Sequence, residues 1–191
     1  MDIADGLEKI MIKNLKFVTK ITRMSFIIKQ SNTEHKLICA EIGVWIGENT
    51  QDMLTIDKEM ELYAIDAYTN IGITDDTSQG SPDEVKAKAY NRLSVFGDRV
   101  KFVYKQSEEA HKDYPDEFFD YVYIDGDHAY KSVKRDIELW YPKVKAGGIL
   151  AGHDIIMDGV KTAVAEFLLE NKISKAGKLD IFPESDWWIF R

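Results

Sequence analysis

Short apolar runs alternate with amphipathic segments along most of the chain, and this alternation limits the fold more than any single motif. The runs that indicate buried strands are residues 36–43, 61–68, 100–106, 118–125 and 149–154. The segments that indicate helices are residues 49–58, 81–97, 107–114, 130–148 and 160–172. Strands that alternate with helices predict a parallel sheet with right-handed crossovers and helices on both faces.

Two further apolar runs, residues 179–183 and 186–190, lie at the end of the chain with only two residues between them. A connection this short can join antiparallel strands but not parallel ones, which need a long crossover. The sequence therefore predicts an α/β fold whose mostly parallel sheet ends in a C-terminal antiparallel hairpin.

The composition is that of a folded, acidic protein. The 191 residues are 45% hydrophobic and 30% charged, which makes a disordered chain a poor interpretation. The formal net charge of -8 argues against a nucleic-acid partner, because such partners usually require a basic face. The single cysteine, Cys39, permits no intramolecular disulfide, and no apolar run is long enough for a membrane span. No secretory signal pattern opens the chain, so we expect one cytoplasmic domain over residues 1–191.

Two segments lie outside the alternating pattern. Residues 1–35 carry apolar side chains at helical spacing and predict an N-terminal helical extension. This extension would pack on the core, or it would cover a site or a second copy of the chain, as in a homo-oligomer. Residues 69–80 are polar, contain glycine and directly follow a predicted strand, so we expect them to form a lid loop.

Acidic side chains end four of the predicted strands, at Glu41, Asp66, Asp125 and Asp154. The carboxyl ends of parallel strands meet at one edge of a sheet, and ligands of open α/β sheets bind at that edge. Four carboxylates at one edge therefore indicate a binding or catalytic site, although each alone would fit a turn.

A glycine turn follows the first predicted strand. Gly43 and Gly47 would allow a tight turn whose backbone can touch a ligand. Trp45 stands where a dinucleotide-binding turn has its second glycine, which weakens an interpretation as a nicotinamide site. Asp66 follows Gly43 by 23 residues, and a carboxylate at that position can accept both hydroxyls of a ribose.

The order of motifs resembles a known family. The segments AEIGVWIGENT, YAIDAY, KQSEEA and FDYVYIDGDHAYKSVKRDIELWYPKVKAGGILAGHD, followed by the terminal hairpin, look like the class I S-adenosylmethionine-dependent methyltransferases. The long fourth motif is similar to that of small-molecule O-methyltransferases of the catechol O-methyltransferase type. The resemblance implies a Rossmann-like seven-stranded sheet whose last strand is antiparallel. It also implies methyl transfer from S-adenosylmethionine to a hydroxyl of a small-molecule acceptor.

The resemblance assigns the cofactor contacts residue by residue. It places Glu41 near the amino acid moiety of S-adenosylmethionine, and Gly43 and Gly47 in the turn that makes room for it. Asp66 would bind the ribose hydroxyls, and Ser107, after the third strand, would lie near the adenine.

The resemblance further implies that Asp125 faces the methyl-transfer centre and that His128, three residues later, removes the acceptor proton. An imidazole titrates near neutral pH, which suits this task. Many relatives hold a magnesium ion at positions that match Asp125, His153 and Asp154. Magnesium prefers oxygen ligands, so His153 leaves three interpretations: magnesium on the two carboxylates, another divalent metal such as manganese, iron or zinc, or no metal.

Two alternatives from other classes remain open at this point. One is an NAD(P)-dependent oxidoreductase on a similar sheet, which the missing middle glycine and the terminal hairpin disfavour. The other is a non-catalytic binding domain that has kept the fold.

Overall fold

A computed structural model describes residues 35–69, 80–181 and 184–191. Its strands are β1 Ile38–Ile42, β2 Glu61–Ile65, β3 Val100–Val103, β4 Phe119–Ile124, β5 Val144–Gly152, β6 Ala176–Ile181 and β7 Glu184–Phe190. Its α-helices are α1 Glu48–Ile56, α2 Pro82–Leu93, α3 Ser107–Ala110, α4 Tyr130–Trp140 and α5 Asp158–Glu170. The predicted N-terminal extension, except for its last residue, and residues 70–79 of the predicted lid loop lie outside the described residues.

The seven strands form one sheet in the order β3-β2-β1-β4-β5-β7-β6. Strands β1 to β5 pair in parallel, whereas β7 lies antiparallel to both β5 and β6. The predicted Rossmann-like fold with a C-terminal antiparallel hairpin is therefore confirmed. Strand order reverses between β1 and β4, and parallel α/β sheets bind ligands at the carboxyl end of such a switch point.

Apolar side chains cover both faces of the sheet, as expected for strands buried on two sides. Trp187 belongs to the core on one face and Trp188 to the core on the other, and both side chains are almost fully buried. Two glycines make room for these rings, because a Cβ on Gly152 would lie 2.6 Å from the Trp187 ring and one on Gly177 would lie 2.4 Å from the Trp188 ring.

The end of α4 differs from the sequence prediction. The helix predicted over residues 130–148 ends at Trp140, and β5, predicted from residue 149, begins at Val144. Proline at position 142 has no N–H and cannot continue the helix, so the chain turns through the 3-10 segment Tyr141–Lys143. Gly147 and Gly148, predicted to end the helix, instead bond with the backbone of Arg191 inside the strand region.

The start of α2 follows the prediction closely. Ser81 and Glu84 form a capping box: the Ser81 hydroxyl accepts a bond from Glu84 N–H, and the Glu84 carboxylate accepts one from Ser81 N–H. Pro82 is the first residue of the helix. The helix ends at Leu93 and continues as the 3-10 segment Ser94–Arg99, in which Gly97 has a positive φ. Among the described residues, no helix has the length and apolar character needed to cross a membrane.

Candidate active site

The glycine turn after β1 and the loop after β4 pack directly against each other. Gly43 N–H donates to Ile65 O, and Asp125 N–H donates to Ile42 O. Gly43 has a φ of 86°, and a Cβ there would lie 2.3 Å from the carbonyl oxygen of Asp125. Only glycine meets both conditions, so this residue fixes how closely the two loops approach.

Asp66 holds the glycine turn from the end of β2. Its Oδ2 accepts hydrogen bonds from Val44 N–H at 3.0 Å and Trp45 N–H at 2.9 Å, and its Oδ1 accepts one from Tyr68 N–H at 2.8 Å. Trp45 and Tyr68 both have positive φ values although neither is glycine. These bonds therefore stabilise a backbone shape that L-residues adopt at a cost.

Glu41 is buried beneath the glycine turn. The amide of Asn49 donates to its Oε1 at 2.9 Å, and the hydroxyl of Thr50 donates to its Oε2. Burial raises the pKa of Glu41 to about 8, against the opposing effect of these two donors. Asn49 and Thr50 lie in the first turn of α1, and the sequence analysis did not identify them because nothing in their spacing marks them as partners of Glu41.

Ser107 lies at the start of α3, four residues after the carboxyl end of β3. Its hydroxyl donates to Asp136 Oδ1 at 2.6 Å and accepts a bond from the indole N–H of Trp140 at 2.8 Å. Asp136 is almost fully buried, and this burial raises its pKa to about 6. The structure thus ties Ser107 to two residues of α4 that the sequence analysis did not connect with the site.

Three predicted site residues converge at the ends of β4 and β5. Nε2 of His128 lies 3.0 Å from Asp154 Oδ2 and 3.7 Å from Asp125 Oδ1. One ligand atom from each of Asp125, His128 and Asp154 falls within 4.8 Å of the others. The Nε2 atom is buried, yet it has no aligned hydrogen bond within the described part of the chain. The imidazole nitrogen and the carboxylate oxygens of this cluster are therefore close enough to share a proton or to bind one cation together.

His153 lies near the same two carboxylate oxygens as His128. Its Nδ1 lies 3.3 Å from Asp154 Oδ2 and 3.9 Å from Asp125 Oδ1. Burial acts to lower the pKa of His153, but the carboxylates of Asp154, Asp125 and the buried Asp186 outweigh it and raise that pKa. The hydrogen bond from His153 in turn lowers the pKa of Asp154.

The loops that carry these side chains are fixed by short-range bonds. Asp127 Oδ1 accepts a bond from Ala129 N–H, and its Oδ2 accepts one from the Ser132 hydroxyl, so this carboxylate organises the start of α4. After β5, Ile155 N–H donates to Ser185 O of β7. The C-terminal hairpin thus holds the loop that presents Asp154.

The fold and the site are typical of an α/β enzyme, with a glycine turn after β1 and a cluster of histidine and carboxylate side chains after β4 and β5. Residues 40–155, more than half of the chain, match the model of a family described as "Methyltransferase domain". The chain belongs to this methyltransferase family, and it is an S-adenosylmethionine-dependent methyltransferase. A search of curated proteins gives no match.

Solved structures share the fold at low sequence identity. A Staphylococcus aureus protein assigned as a caffeoyl-CoA O-methyltransferase has a TM-score of 0.67 at 16% identity, with 100% of this chain and 93% of that chain covered. The O-methyltransferase NovP has a TM-score of 0.64 at 18% identity, with coverage of 90% and 79%. A precorrin-6y C5,15-methyltransferase from Geobacter metallireducens has a TM-score of 0.64 at 16% identity, with coverage of 95% and 94%.

Proposed function

We propose that the protein transfers the methyl group of S-adenosylmethionine to a hydroxyl of a small-molecule acceptor, with His128 as the base. The observation that carries the proposal is the position of the His128 imidazole. Its Nε2 lies between two strand-end carboxylates, at the edge of the sheet where the glycine turn would hold the donor. A group that removes a proton at this point can act on an acceptor oxygen aligned with the methyl group.

The residues of the chain would divide the work of a direct displacement. Asp66 and the glycine turn at Gly43 and Gly47 would bind the donor, with Glu41 near its amino acid moiety and Ser107 near its adenine. The carboxylate of Asp125, with that of Asp154, raises the pKa of His128 against the opposing effect of burial. Only the neutral imidazole can accept a proton, so turnover should rise with pH through a pKa above the usual value of His128.

The same cluster fits a divalent cation. Asp125 and Asp154 would supply oxygen ligands, and the buried Nε2 of His128 and the Nδ1 of His153 are the nearby nitrogen donors. Two carboxylates with an imidazole suit manganese, iron or zinc better than magnesium, which would use the two carboxylates alone. A bound cation would lower the pKa of the acceptor hydroxyl. If His128 served as a metal ligand, its lone pair would not be available to take the proton.

A small-molecule acceptor fits the surface better than a nucleic acid does. The fold alone does not decide, because its structural neighbours include an rRNA methylase from Streptococcus thermophilus as well as O-methyltransferases. The net charge of -8 disfavours a phosphate backbone. Ile156 and Met157, two and three residues after Asp154, expose about half of their surface, so they can contact an apolar part of an acceptor.

Ligand binding to the folded protein provides the first test. We expect S-adenosylmethionine and S-adenosylhomocysteine to raise the melting temperature, while NAD and NADP leave it unchanged. A shift with a nicotinamide cofactor instead would support the oxidoreductase alternative.

Methyl transfer to a panel of phenols, catechols and sugar hydroxyls would then be measured for the wild type and for His128→Ala, each with and without a chelator. The variant should lose about 100-fold or more in kcat with unchanged donor affinity, since general base catalysis contributes on this scale. His111→Ala, which changes a histidine in the 3-10 segment after α3, is the matched control. Undiminished turnover in His128→Ala would remove His128 from the mechanism, and loss of turnover with the chelator would assign a metal.

A further inference from the structure

Gly159 lies in the first turn of α5 and packs against the backbone of residues 128–130, which we call the His128 loop. A Cβ at this position would lie 2.6 Å from the carbonyl oxygen of His128, 3.0 Å from Tyr130 N and 3.5 Å from the carbonyl carbon of Ala129. The first distance is shorter than a real Cβ contact allows, and the obstacle is backbone, which cannot rotate out of the way. The chain therefore has room only for glycine at this position.

Backbone conformation gives no reason for glycine here. The φ of Gly159 is not in the positive range that other glycines of the site occupy, and the residue is helical. Glycine inside a helix costs about 1 kcal/mol relative to alanine. The close approach to His128 is the feature that explains this residue.

The contact joins the loop after β4, which carries Asp125 and His128, to the loop after β5, which carries Asp154. The turn that begins at Asp154 continues directly into α5, since Met157 N–H donates to Asp154 O and Lys161 N–H donates to Met157 O, both at 2.9 Å. His128 Nε2 lies 3.0 Å from Asp154 Oδ2. Any change in the spacing between α5 and the His128 loop is therefore a change in the spacing between these two side chains.

Helix α5 cannot move away freely to relieve a collision. The hydroxyl of Tyr130 donates to Glu166 Oε2 at 2.5 Å, and Lys134 pairs with Glu166 and Glu170 at 3.1 and 3.0 Å. These contacts join α4 to α5 immediately behind His128. An added methyl group would thus displace the short loops at the ends of β4 and β5.

We propose that Gly159 is a positioning residue that sets the distance between the imidazole of His128 and the carboxylate of Asp154. The mechanistic part of this inference rests on the proposed role of His128 as the base. The geometric part concerns the placement of the imidazole and stands apart from that role.

Gly159→Ala in the full chain tests both parts. We expect kcat to fall by roughly 10- to 100-fold, because a displacement of about 1 Å in a catalytic group has effects of this size. Donor affinity by calorimetry should fall less than kcat, because the atoms nearest to a Cβ on Gly159 belong to residues 128–130 and not to the glycine turn after β1. The ¹H–¹⁵N imidazole resonance of His128, assigned by its absence in His128→Asn, should move while that of His111 stays in place.

Lys161→Ala is the matched control, because it changes the same turn of α5 without adding an atom toward His128. If Gly159→Ala does not fold, Gly159→Ala with Ala129→Gly gives the loop backbone more freedom and is measured in the same way. Wild-type kcat together with an unmoved His128 resonance in a folded variant would overturn the proposal. If His128→Ala keeps its turnover but Gly159→Ala still moves the His128 resonance, the base assignment fails and the positioning role stands.

Discussion

At the scale of single residues, strand ends were the informative positions in the sequence. Glu41, Asp66, Asp125 and Asp154 each follow an apolar run, and parallel pairing brings all four to one edge of the sheet. Their partners were not predictable in the same way. Asn49 and Thr50 reach Glu41 only because α1 folds back over β1, and Asp136 reaches Ser107 only because α3 packs beside α4.

Asp66 should show two separable effects on substitution. In Asp66→Ala, the N–H groups of Val44, Trp45 and Tyr68 lose their acceptor, which should lower the free energy of unfolding by about 1–3 kcal/mol. The affinity for S-adenosylmethionine should fall as well if the carboxylate binds the ribose. Chemical denaturation and calorimetry measure the two effects, and Asp66→Asn serves as the control because it retains one carbonyl oxygen as acceptor. Unaltered donor affinity in Asp66→Ala would refute the ribose role.

At the scale of elements, the sequence predicted the type and order of strands and helices better than their ends. The segment from residue 141 to residue 148 shows why. Its lysines and glycines are typical of a helix terminus, but tertiary pairing makes its second half part of β5, where Gly148 packs closely on Asp120 O. A residue pattern within one segment carries no information about the strand on which that segment will pack.

Asp120 ties together the amino ends of three neighbouring strands. Its buried carboxylate accepts hydrogen bonds from Ile38 N–H at the start of β1 and from the Lys145 ammonium of β5, and it contacts His35. Asp120→Ala should therefore lower the free energy of unfolding by about 3 kcal/mol, because removing one partner leaves buried polar groups unpaired. Urea denaturation measures this change. Lys145→Met, which removes only the ammonium, should cost less.

The Asp120 variant should leave methyl transfer per folded molecule unchanged, because the carboxylate lies at the edge of the sheet opposite the site. A loss of kcat in folded Asp120→Ala, without a loss of stability, would contradict this separation of stability from function along the strands.

At the scale of the whole molecule, two buried carboxyl groups whose pKa is raised by folding contribute to the dependence of stability on pH. Burial raises the pKa of Glu41 from 4.5 to about 8 and that of Asp136 from 3.8 to about 6. Each group holds a proton in the folded state over a pH range in which the unfolded chain has released it. The contribution of each group to stability therefore falls as the pH rises, from about 4.5 to 8 for Glu41 and from about 3.8 to 6 for Asp136.

Glu41→Gln should remove one of these contributions and flatten the dependence of stability on pH. One proton corresponds to a slope of roughly 1.4 kcal/mol per pH unit, so the wild-type free energy of unfolding should decline more steeply than that of the variant between about pH 6 and 8. Urea denaturation at a series of pH values measures both slopes. Asp136→Asn is the control, because its effect should be confined to lower pH. Parallel wild-type and Glu41→Gln curves between pH 6 and 8 would mean that Glu41 stays ionised in the folded protein, held by the donors of Asn49 and Thr50 in spite of its burial.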